Sequence, residues 1–118
     1  MNAPPPEQLR LFGQLIAHAG DLAPILEAQF AASRTMNWEF CGVCFDMEMA
    51  GDVPLLPEGL ERPLLFEVDS AVASDLVQVL LWHDDGRLNA IEVSAVDDPH
   101  PGLRGLQVID WPRENQAP

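Results

Sequence analysis

The sequence predicts an α+β domain in which two N-terminal helices pack on one face of a curved, mainly antiparallel sheet of about four to five strands. Three observations carry this. Residues 7–34 repeat their apolar side chains at helical spacing, the period changes from helix to strand after Arg34, and two apolar runs flank His83-Asp84-Asp85-Gly86 as the arms of a β-hairpin would. A chain of 118 residues fits one domain, 1–118, with residues 1–6 expected as a flexible leader and 112–118 as a flexible tail.

Pro6 suits the first turn of a helix, where its missing N–H has no partner to lose. Leu9, Phe12, Ile16 and Ala19 recur along that helix, with Leu11 and Leu15 widening the stripe, and Gly20 is a natural stop. Asp21 is placed to cap a second helix that tolerates Pro24 in its first turn. Its inward face is expected to carry Leu22, Ile25, Leu26, Gln29, Phe30 and Ser33.

The next stretch, NWEFCGVCFDMEM (37–49), holds both cysteines in a C-x-x-C spacing. A reactive pair of that kind sits at a helix N-terminus, where the dipole lowers the thiol pKa. Here the residues after Cys44 alternate as a strand does, and in a strand positions i and i+3 lie roughly 10 Å apart on opposite faces. That separation forbids a disulfide, and zinc would need further ligands that the three histidines do not supply at suitable spacing. The expectation is one long strand with a β-bulge near Gly42. Trp38, Phe40, Val43, Phe45, Met47 and Met49 then point inward, while Glu39, Cys44, Asp46 and Glu48 point outward, and the thiols are reduced.

Residues 50–63 carry three prolines and two glycines and read as a loop, and 64–69 as a short strand. For the hairpin, a three-residue loop with Gly86 left-handed pairs His83 with Arg87 and Val79 with Ile91. One face then carries Val77, Val79, Leu81, Ile91, Val93 and Ala95, the candidate core. The other carries Leu76, Gln78, Leu80, Trp82, Leu88, Ala90 and Glu92, a mixed surface fit for a partner. Residues 97–102 read as a loop and 105–111 as a last strand ended by Pro112.

Nineteen acidic residues face six arginines and no lysine, for a formal charge of −13. Such a chain repels nucleic acid and anionic membrane surfaces and attracts basic partners; solubility alone is the plainer role of the charge. No apolar run spans a bilayer, and the start MNAPPPEQLRLF has neither a basic segment nor a long apolar one, so the expected location is cytoplasmic.

No catalytic signature is present: there is no G-x-S-x-G, no phosphate-binding glycine loop and no H-E-x-x-H. His83 beside Asp84-Asp85 and His100 beside Asp97-Asp98 are local clusters in turns, where aspartate is favoured for its own hydrogen bonding. The expectation is a non-enzyme with no cofactor, no catalytic residue and no metal site. CGVCFDMEM followed by VLLWHDDGRLNAIEVSAVDD resembles small bacterial proteins with leading helices, a cysteine-containing strand and a hairpin built on D-G-R-L-x-x-[LI]-E-V. Several such families are associated with immunity to bacterial toxins, and the likeness covers about half of the chain.

The resemblance implies an antidote that binds a cognate toxin. The charge then suggests a basic protein partner steered to Asp46, Glu48, Trp82, Asp84, Asp85 and Glu92, with no nucleic acid or membrane partner. Two alternatives belong to other classes. One is a cone-shaped α+β ligand-binding protein or small enzyme of the nuclear-transport-factor-like kind, with a pocket enclosed by the sheet. The other is a structural homo-oligomer, such as a homodimer, joined through the Trp82 face.

Overall fold

The structure is a computed structural model, and it describes residues 1–39, 43–70, 77–95 and 106–110. Helix α1 (Pro6–Ala17) leads through a 3-10 turn (Gly20–Leu22) into α2 (Ala23–Ala31). Six strands follow: β1 (Ser33–Asn37), β2 (Phe45–Met49), β3 (Leu64–Ser70), β4 (Val77–Asp84), β5 (Arg87–Ala95) and β6 (Leu106–Asp110). They form one antiparallel sheet in the order β1-β2-β5-β4-β3-β6, curled into a half-barrel against the two helices. The expected fold class is therefore the observed one, with one or two strands more than predicted.

The extra strand comes from the C-x-x-C stretch. The expected single strand over 37–49 is instead a reversal. Helix α2 ends at Ala31, β1 begins at Ser33, and β1 and β2 pair from Ser33↔Met49 to Asn37↔Phe45. The parity change read as a bulge is the chain turning back on itself, held by Trp38 N–H donating to the Cys44 carbonyl at 2.9 Å. Cys44 is buried rather than outward, and it is disulfide-bonded. The chain's other cysteine is Cys41, outside the described residues. The strand geometry that ruled out a disulfide does not hold in a reversal, so the expectation of reduced thiols is overturned. Phe40 also lies outside the described residues. Trp38 is corrected too: its indole N–H reaches Asp46, in the outward row, at 2.7 Å.

The strands supply most of the core, and the helices close it from one side. Gln8, Leu11, Phe12 and Leu15 form the buried face of α1, while Leu9, expected inside, is 53% exposed. Leu22, Leu26, Gln29, Phe30 and Ser33 are buried as expected. Asp21 does not cap α2, whose N-cap is Leu22 without a side-chain bond. The rings of Phe12 and Phe30 stack at 4.2 Å, and both helices pack on Phe45, Phe66, Val79, Leu81 and Ile91 of the sheet. Each such side chain taken fully from water contributes about 1.5–3 kcal/mol, far more than helix propensity.

Three glutamines sew helices to sheet. Gln8 accepts from the Thr35 hydroxyl at 2.7 Å and donates to the Asn37 side chain at 3.0 Å, on edge strand β1. Gln14 accepts from the Val108 N–H at 2.7 Å, on the opposite edge strand β6. A flat six-stranded sheet would hold these edges roughly 24 Å apart, whereas six residues of helix advance roughly 9 Å. The curl brings both edges to one helix. Edge strand β1 is also covered from the N-terminal side. Asn2 and Thr35 exchange two backbone hydrogen bonds (3.1 and 2.8 Å), so the expected flexible leader is pinned at that point.

The β4–β5 hairpin keeps its predicted faces but not its predicted register. Asp84 pairs with Arg87, leaving a two-residue turn of Asp85 (φ 51°) and Gly86 (φ 81°), both left-handed as a type I′ turn requires. The bulge sits one step further along: His83 pairs with Leu88 and Trp82 with Ala90, so Asn89 is the extra residue. Beyond it the pairing is displaced by two positions from the expected one, Val79 meeting Val93 rather than Ile91. An even displacement preserves the faces, and Val77, Val79, Leu81, Ile91 and Val93 are all buried. Leu88, on the other side of the bulge, is corrected from the outer face to the core. The side chain of Ala95 and residue Leu76 lie outside the described set.

Candidate functional site

The sheet has one face filled by helices and one facing away from them. On the second face the ladder aligns Met36, Asp46, Ala90 and Trp82 in one row across β1, β2, β5 and β4. A neighbouring row holds Leu65, Leu80 and Glu92, and Glu48 stands two residues beyond Asp46, opposite Arg34. Four of the six candidate residues, Asp46, Glu48, Trp82 and Glu92, thus share this face. Asp46 and Trp82 sit two strands apart, roughly 10 Å. Glu92 faces Leu80 rather than Gln78, because of the shifted register.

Two of these acids are held by indoles. Trp38 Nε1 donates to Asp46 Oδ1 at 2.7 Å, and Trp82 Nε1 donates to Glu92 Oε1 at 3.1 Å. All four side chains are half-buried. The indole N–H satisfies one carboxylate oxygen and leaves acceptor capacity on the other. Each pair therefore presents an oriented negative charge beside an aromatic surface, with Leu65 and Leu80 adding apolar area. Tryptophan in such a setting is the residue type that most often dominates binding energy, and a fixed carboxylate suits a basic group. Trp38 was missed because its sequence parity assigned it inward. Met36, 54% exposed at the end of the row, falls between the helices expected to end at Arg34 and the strand expected from Asn37, so the sequence does not place it on any face.

Asp84 and Asp85 do not join this group. They are exposed at the hairpin tip, where they line a cleft of about 390 Å³ shared with residues 55–60, Arg62 and His83. Asp84 meets Arg62 at 3.5 Å, both side chains more than half exposed. His83 is buried, with Nε2 2.7 Å from the Glu61 carbonyl. A carbonyl only accepts, so Nε2 carries the proton and Nδ1 is the second polar atom of the ring.

Behind the tip, Gln29 is wholly buried. It donates to the carbonyls of Pro54 and Gly86 (both 2.8 Å) and accepts from Leu88 N–H (2.9 Å). Among the described residues no group of three or more histidine, cysteine or acidic side chains is arranged to hold a metal ion. No described helix is long and apolar enough to cross a membrane. The chain matches no protein-family model, no curated protein and no solved structure.

Proposed function

We propose that this chain is a non-enzymatic binding protein of the immunity type, which neutralises a basic bacterial toxin by covering it. The observation that carries the reading is the outward sheet face. It combines indole-held carboxylates, Asp46 and Glu92, with Trp82, Leu80 and Met36, on a chain of net charge −13. Long-range attraction brings a cationic partner in, and the aromatic and aliphatic surface then excludes water from the contact. The concave face, which a cone-shaped ligand binder would keep open, holds the stacked Phe12 and Phe30 and the leucines of both helices.

The cytoplasm is where an antidote meets a toxin made in the same cell. Thiols are held reduced there, so the disulfide at Cys44 argues the other way. Thiol-specific alkylation of intact cells, read by mass spectrometry, decides between the two. The function itself is tested by affinity purification of the tagged chain from its native cell. The expected result is a basic protein that is toxic when expressed alone and harmless when co-expressed with this chain. Recovery of the chain only as a self-associated species by sedimentation, or turnover of a small molecule with no partner, would replace the reading.

A further inference from the structure

We infer that the cleft at the β4–β5 tip is a subsite for an arginine side chain of the partner protein, an inference that rests on the binding reading above. The cleft offers the three things a guanidinium needs. Its rim carries Asp84 and Asp85, with Glu58 as a third carboxylate, against the single cation Arg62. Its wall includes Leu55, 52% exposed, and Leu60, which can cover an aliphatic stem. Its inner end holds His83, only 6% exposed.

The His83 ring is the observation that goes beyond charge. With Nε2 donating to the Glu61 carbonyl, a neutral ring carries its lone pair on Nδ1. Among the described residues nothing meets Nδ1, and a buried acceptor without a donor is costly unless something supplies one. A guanidinium brings five N–H groups in a planar fork, enough to reach a carboxylate and an imidazole together. The cleft is built before the ligand arrives. Gln29 ties Pro54 and Gly86 from behind, Leu56 N–H donates to the Gly86 carbonyl at 2.9 Å, and the turn cannot drift from the 55–60 segment. Arg62 occupies Asp84 only through an exposed contact of 3.5 Å, weak enough to be displaced.

The test is an NMR titration of the intact protein with N-acetylarginine amide, against the uncharged isostere N-acetylcitrulline amide. The arginine compound is expected to shift the His83 ring and Gly86 amide signals saturably, and the citrulline compound to leave them in place. Asp84→Asn with Asp85→Asn should weaken the arginine response about threefold to tenfold, and Arg62→Ala should strengthen it about twofold to fivefold, as exposed ion pairs of this kind permit. All three positions are exposed, so the variants keep the fold. No saturable shift, equal shifts from both compounds, indifference to the aspartate changes, or shifts centred on Trp82 instead would each overturn the subsite. None of these outcomes touches the capture experiment, which tests the parent reading separately.

Discussion

The β4–β5 and β1–β2 hairpins make opposite use of the same topology. The first closes on Asp85-Gly86, two residues whose left-handed backbone is supplied by their own chemistry, and a buried glutamine fixes the turn from behind. The second reverses between Asn37 and Phe45, whose pairing is followed by a Trp38–Cys44 backbone bond and a disulfide at Cys44. The first hairpin is held from inside the core and the second by a covalent link. The Cys44 sulfur also accepts from Val93 N–H at 3.4 Å, beside a β2–β5 ladder that pairs Phe45 with Ile91 and Asp46 with Ala90. The proposed binding face spans both hairpins, so its geometry depends on both devices.

The comparison breaks hardest at Gln29. Replacing it with alanine removes three hydrogen bonds and strands Leu88 N–H, so we expect a loss of about 3 kcal/mol or more by chemical denaturation. Amide exchange should quicken around residues 86–88 first. A loss below about 1 kcal/mol would mean that the turn does not lean on the core.

Gly86→Ala comes next. Its φ of 81° disfavours a side chain, and a Cβ would meet that of Leu55 at 2.8 Å. A loss of about 2 kcal/mol is expected from the same denaturation curves. Wild-type stability in this variant would exclude the observed turn.

Reducing the disulfide should cost at most about 2 kcal/mol, the entropic value for so short a loop. Its mark is regional: faster amide exchange in β1 and β2, with residues 86–88 unchanged. The smallest effect is expected of Trp82→Phe, which keeps most of the ring and loses one half-buried hydrogen bond to Glu92, about 0.5–1.5 kcal/mol. On the proposed function it should nevertheless weaken partner binding measurably, because the indole that positions the Glu92 carboxylate would also anchor the partner.

The two hairpins also differ in how much of them was legible. Asp-Gly between apolar runs names a reversal by itself, and alternation then assigned Val77, Val79, Leu81, Ile91 and Val93 to the core. The position of the bulge was not written there. A bulge beside the turn and one at Asn89 satisfy the same alternation for the core valines and Ile91, differing in where Leu88 points and in which residues meet across the ladder. Around Cys41-Gly42 the ambiguity was greater. A parity change is the signature of a bulge and equally of a reversal, and the stretch lacks the asparagine-glycine or aspartate-glycine pair that would separate them. Read as continuous, the stretch puts Trp38 on the wrong face and excludes the disulfide by a geometry the chain does not adopt.

The glutamines were invisible for another reason. Gln29 sits on the helix face the sequence assigned inward, but its partners at Pro54, Gly86 and Leu88 come from distant segments. The shared face of Asp46, Glu48 and Glu92 is legible, since it needs only strand parity. Asp84 and Asp85 were grouped with them by composition and stand instead beside a different feature, the cleft.

The central claim is that the outward carboxylates steer a basic partner onto the sheet. Its most direct test is the association rate with the captured partner, measured by stopped flow from low to physiological salt. Wild type is compared with a variant carrying Asp46→Asn, Glu48→Gln and Glu92→Gln. The account predicts that the wild-type rate falls by roughly tenfold or more as salt rises, and that the variant is slower at low salt with a shallower dependence. Equal rates and equal salt slopes for the two proteins would contradict it.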